Sequence, residues 1–158
     1  MKIFIAALCA AAALAAPALA QDYKLGALLI EGPHIFETPP TARTAAGYMV
    51  ITNTGEADAL LISADSPVRT TELHRTETDA NGVRRMREQE DGIVIPAGQS
   101  VTFEPGGLHV MYMGLENAVQ EGQDMPTTLV FESEGSIEVI FPVQKRRAGS
   151  HGHGGHSN

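Results

Sequence analysis

The sequence predicts an all-β domain, an antiparallel sandwich or Greek-key barrel, on three observations. Short apolar or alternating runs recur about every ten residues, turn residues separate them, and no long stretch keeps a 3.6-residue apolar period. Nine such runs suit two packed antiparallel layers.

The first twenty residues are set aside before the elements are read. Lys2 supplies a positive n-region, an apolar run follows, and Ala18-Leu19-Ala20 is an A-x-A cleavage signal. Residues 1–20 therefore read as a signal peptide, with an uncleaved anchor as the competing reading. Polar Gln21-Asp22 follows with no stop-transfer pattern, so no membrane span is expected after cleavage and export to the periplasm is. Cys9, the chain's only cysteine, lies inside this segment. Leu8 precedes it where lipid attachment needs a small residue, so processing at Cys9 is not expected.

The expected strands are residues 25–31, 47–53, 59–65, 68–75, 83–89, 100–105, 108–114, 127–133 and 136–143. Their boundaries come from turn chemistry: Asn53-Thr54-Gly55, Asn81-Gly82, Pro96-Ala97-Gly98 and Pro105-Gly106-Gly107. The proline-rich segment 31–47 reads as a loop or an edge. Residues 21–145 form one domain. Residues 146–158 turn basic and then become "AGSHGHGGHSN", a flexible glycine-rich tail carrying His151, His153 and His156.

Composition excludes several function classes. Eleven Lys and Arg oppose nineteen Asp and Glu, a net charge of −8, which repels nucleic acid and anionic lipid. Without Cys9 the mature chain has no thiol, which removes cysteine nucleophiles, redox dithiols, iron–sulfur ligation and blue-copper chemistry. No Ser/His/Asp set, phosphate loop or paired-carboxylate motif stands out, so no enzyme is expected.

The stretch "GGLHVMYMG" carries the strongest functional signal. In a strand, Leu108, Val110 and Tyr112 point to one side, and His109, Met111 and Met113 to the other. One imidazole and two thioethers on a shared face suggest a soft metal. The Asn81-Gly82 hairpin brings His74 and Met86 onto neighbouring strands. His74, Met86, His109 and Met111 then offer two imidazoles and two thioethers, a neutral set that selects Cu(I) over hard ions and Zn(II). The competing reading is that methionine fills cores. Met49 and Met125 are assigned to that class, Met113 mostly so, and His34 reads as a hydrogen-bonded or surface residue.

The motifs "TELH…NGVRRM…IPAGQSVTFEPGGLHVMYMGL", with upstream "AAGYMVITNTGEADALLISADSPV", resemble the PCuAC family of copper chaperones. The likeness covers most of residues 25–143. It implies a cupredoxin-like sandwich that holds Cu(I) near its surface through His74, Met86, His109 and Met111. It further implies delivery of copper to the copper-site subunit of a cytochrome c oxidase, alongside a thiol-containing assembly protein. The spacing from His74 to Met86 is about one residue longer than the family pattern, absorbed in the "TDANG" turn. Where the family has an aromatic-Ala-Arg stretch, this chain has "HIFETPP", which leaves His34 without a role. The tail histidines, imidazoles without thioethers, suit Cu(II) and are expected to form a second site. Copper storage or detoxification, and a sandwich recognition module without metal, are the alternative functions.

Overall fold

The computed structural model describes residues 21–146. The expected signal peptide and the tail histidines His151, His153 and His156 lie outside the described residues. Those described form eleven strands and no helix: β1 (Tyr23–Leu25), β2 (Leu28–Phe36), β3 (Thr44–Asn53), β4 (Ala59–Asp65), β5 (Thr70–Thr78), β6 (Arg84–Glu88), β7 (Ile93–Ile95), β8 (Ser100–Phe103), β9 (Leu108–Met113), β10 (Asp124–Phe131) and β11 (Gly135–Gln144).

The strands make one sheet that curls over on itself, in the order β6-β5-β9-β8-β3-β2-β11-β10-β4-β7, with β1 added beside β2. Strand β11 joins the two layers. It pairs with β10 from Gly135 to Pro142 but meets β2 only through Val143 and Gln144. That contact and the Phe103–Leu108 pairing of β8 with β9 are parallel; every other pairing is antiparallel. The core lies between the layers and includes Ile30, Ile51, Leu61, Leu129, Phe131 and Phe141, each at most 2% exposed.

The strands depart from expectation in three places. The segment expected as a loop or an edge, 31–47, is mostly strand inside the sheet, because β2 continues to Phe36 and β3 begins at Thr44. Pro33 is accommodated where the β2–β3 register shifts between Glu31 and His34, a bulge in which no ladder N–H is needed. The run expected as one strand over 25–31 is broken by a turn, so that Tyr23–Leu25 folds back as β1 onto β2. Strand β7 was not expected, since three residues are too short to show a period. Ile93 and Ile95 are nonetheless buried against the core while Val94 is exposed.

Strand β9 alternates as its sequence requires. Leu108, Val110 and Tyr112 are buried in the core, and His109, Met111 and Met113 occupy the opposite face. The Tyr112 hydroxyl lies 2.8 Å from Thr127 Oγ1 on β10, a buried hydrogen bond between the layers. Its ring meets that of Phe141 edge-on at 6.3 Å. The strand that carries the imidazole and thioethers is thus fixed from its core side.

Candidate metal centre

Strand β9 lies beside β5, and their register sets His74 directly opposite His109 and Glu72 opposite Met111. Directly opposed residues share a face, so all four stand on the outer side of the sheet. The two imidazole rings are 5.8 Å apart between centroids. On its other edge β9 pairs with β3, where Ala46 faces Met111 and Thr44 faces Met113.

Met86 arrives from the edge strand β6. It faces Thr76, while the residue opposite His74 is Glu88. Met86 is therefore a diagonal neighbour of His74, about 7–8 Å away along the sheet. It is 59% exposed. The structure nevertheless brings Met86, His109 and Met111 together in the wall of one cavity of about 360 Å³, which Tyr48, Pro105 and Arg146 also line. His74 adjoins this cavity through His109. Met113 lies on the same face but does not line it.

The turn between β8 and β9 positions His109. Gly106 adopts a φ of +87°, a conformation costly to any residue with a Cβ. It lets the chain reverse so that the Gly107 carbonyl accepts two hydrogen bonds, from the Thr76 N–H at 3.0 Å and from His109 Nδ1–H at 3.1 Å. One carbonyl thereby ties the β5–β6 hairpin to the imidazole on β9.

Each imidazole has one nitrogen engaged and one left over. A carbonyl oxygen can only accept, so His109 carries its proton on Nδ1, and Nε2 keeps its lone pair. His74 Nε2 lies 2.7 Å from Glu72 Oε2, so the ring donates there to a carboxylate. His74 Nδ1 is buried and has no hydrogen-bond partner. An orphaned buried polar atom in a folded protein calls for a reason. No three His, Cys, Asp or Glu side chains among the described residues are grouped to hold a metal ion. An ion bound by these two rings would accordingly complete its coordination with thioethers, the soft-donor case.

Burial lowers the pKa of His109 below the ordinary imidazole value of 6.5; the Gly107 hydrogen bond opposes this and the nearby His74 ring adds to it. His109 is thus neutral, and able to donate its lone pair, at neutral pH. The sign for stability follows. The unfolded chain takes up the proton first, near pH 6.5, so the contribution of neutral His109 is intact above that value. It declines as pH falls through the lower folded-state value. NMR titration of the apo-protein should place the His109 ring midpoint below 6.5; a midpoint at or above it would contradict the buried, neutral ring.

The remaining histidine among the described residues fits the ordinary role expected of it. His34 Nδ1–H donates to the Gly32 carbonyl at 2.9 Å, and its ring packs against Phe36 and Tyr48. The residue that sequence reading missed is Glu72. Its signal was available, since positions i and i+2 of a strand share a face, but a lone carboxylate near a histidine has no distinctive pattern.

Comparison with known proteins places the chain. The family described as "Putative lipoprotein LpqE-like" matches residues 28–143. The chain belongs to this LpqE-like family. One relative, "Putative lipoprotein Lxx21020" of Leifsonia xyli subsp. xyli (strain CTCB07), is 36% identical over 100 residues, 63% of this chain and 60% of that protein. The chain thus spans about three fifths of the length of the curated relative it matches. Among solved structures, the copper-bound PCuAC domain from PmoF2 superposes with a TM-score of 0.66 at 26% identity, over 80% of this chain and 99% of that one. The solution structure of CuI-DR1885 from Deinococcus radiodurans gives a TM-score of 0.58 at 26% identity, over 80% and 82% of the two chains. The LpqE-like chain therefore has the cupredoxin-like all-β fold of PCuAC domains.

Proposed function

We propose that this LpqE-like protein is an exported Cu(I) carrier that binds the ion through His74, Met86, His109 and Met111 and passes it on without turnover. The observation that carries this reading is the pair of opposed imidazoles, each with an uncommitted nitrogen, beside the thioethers of Met111 and Met86. The donor set is neutral and soft, and Cu(I) accepts irregular three- or four-coordinate geometry. The structural neighbours support it, one being a copper-bound PCuAC domain and the other a CuI form.

The exposed position of Met86 suits transfer, because an incoming ligand can displace it from the solvent side. The proposed acceptor is the copper-site subunit of a cytochrome c oxidase, reached directly or through a thiol-containing assembly protein. The proposed location is the periplasm, after removal of residues 1–20. The family description as lipoproteins supports export and association with the cell envelope. Leu8 before Cys9 favours release at Ala20 over lipid attachment at Cys9.

The deciding experiment is competition between the apo-protein and a chromogenic Cu(I) chelator. One equivalent of Cu(I) should be withheld at neutral pH, and the competition should weaken on acidification because protonated imidazole cannot ligate. A protein that withholds no Cu(I) at neutral pH is a recognition module.

The tail, residues 146–158, is proposed to hold Cu(II) through His151, His153 and His156. Arg146 supports this: it lines the metal cavity and lies 4.9 Å over the Phe36 ring, so the chain leaves the domain beside the site. Covalent tethering beside a second site raises the effective concentration to the order of millimolar. Truncation after Arg147 should remove one class of Cu(II) sites and leave Cu(I) binding unchanged. Equal Cu(II) stoichiometry in both forms would reduce the tail to a spacer.

A further inference from the structure

The two opposed imidazoles are fixed by different means. His109 is held through Nδ1 by the backbone carbonyl of Gly107, which no side-chain replacement removes. His74 is held through Nε2 by a side chain, the Glu72 carboxylate at 2.7 Å. Both partners of this pair are largely shielded, with side-chain exposures of 13% for His74 and 25% for Glu72. The short distance is that of a charge-assisted hydrogen bond. The opposite ring nitrogen, Nδ1 of His74, is buried without a partner. A proton on Nδ1 would be a buried donor with no acceptor, and it would leave the Nε2 lone pair against a carboxylate lone pair. Both ends of the ring therefore select the same tautomer, Nε2–H.

We propose that Glu72 is a positioning residue of the metal site, whose carboxylate holds His74 as the Nε2–H tautomer and makes Nδ1 its metal-donor nitrogen, while His109 donates through Nε2. This rests on the reading of the site as a Cu(I) centre. Nδ1 is bonded to the ring carbon that carries Cβ, whereas Nε2 lies at the far end of the ring. An ion taken by His74 through Nδ1 is drawn toward the backbone of β5, and β5 is the strand that pairs with β6 and Met86. Glu72 also sets a negative charge near a site whose proposed ligands are all neutral. A hydrogen-bonded carboxylate fixes the tautomer and the ring orientation of a ligating imidazole.

Long-range proton–nitrogen correlation spectra of the nitrogen-15-labelled protein test this, because Cu(I) is diamagnetic. In the apo-protein, His74 should show a protonated Nε2 and an unprotonated Nδ1, and His109 the reverse. On Cu(I) addition, Nδ1 of His74 and Nε2 of His109 should carry the coordination shifts. Glu72→Leu should leave His74 in mixed tautomers and lower Cu(I) affinity by roughly 10–100-fold. Glu72→Gln keeps an acceptor oxygen, so it should preserve the tautomer and recover much of the affinity. Coordination through His74 Nε2, or Glu72→Leu with unchanged tautomer and affinity, would overturn the proposal. Should Glu72→Leu not fold, the wild-type ring shifts and Glu72→Gln still decide it. A wild-type protein that takes up no Cu(I) would remove the carrier reading instead, and the apo-protein tautomers would still show whether Glu72 fixes the ring.

Discussion

Met111→Leu should weaken Cu(I) by more than about 100-fold, beyond the 10–100-fold typical of losing a partner that only supports a ligand, while the fold persists. Met111 lies between His109 and Met113 on the outer face of β9 and lines the same cavity as His109 and Met86. Leucine is close to methionine in volume, so the packing change should cost less than about 1.5 kcal/mol. What disappears is the only soft atom the side chain offers. Met86→Leu should act in the same direction with a smaller loss of stability, since Met86 is more than half exposed on an edge strand. Chelator competition reads the affinity and urea unfolding reads the stability of the same samples. Wild-type affinity in both variants would make the thioethers packing groups and sink the proposed ligand set.

The largest stability effect should come from Gly92→Ala. Gly92 has a φ of +78°, and a Cβ built there would come within 2.6 Å of the Leu61 carbonyl oxygen. The left-handed conformation alone costs a non-glycine residue of order 1–3 kcal/mol. The clash is with backbone of β4, which cannot turn aside as a side-chain tip can. Gly92 immediately precedes β7, whose only partner strand among the described residues is β4. Moving it would also disturb the burial of Ile93 and Ile95. A total loss of about 3 kcal/mol, or about 10 °C in Tm, is expected in thermal unfolding. A shift under about 2 °C would mean that the turn relaxes at little cost.

Much of the architecture was legible in the chain because strands announce themselves locally. Turn residues and period-two alternation located β3, β4, β8, β9, β10 and β11 to within a few residues. In "LHVMYM" the alternation even separated core from outer face correctly, since Leu108, Val110 and Tyr112 are buried as a strand period demands. The failures lie where that signal is weak or masked. Pro33 argued against a strand that the β2 bulge permits. Three residues of β7 could show no period, although burial of two isoleucines makes them strand.

The sequence by itself determined the fold class, the turn before His109 and the shared face of His109, Met111 and Met113. All three follow from chain geometry within a few residues. Only the tertiary structure decided which strands adjoin and in what register. Register is set by packing of the core face, and it sets His74 against His109 and Met86 against Thr76. It also decided the state of the rings. Which nitrogen stays free depends on one carboxylate at 2.7 Å and one carbonyl at 3.1 Å. Residue types at a given spacing do not encode those contacts; they exist only once β5, β9 and the turn at Gly107 are folded together.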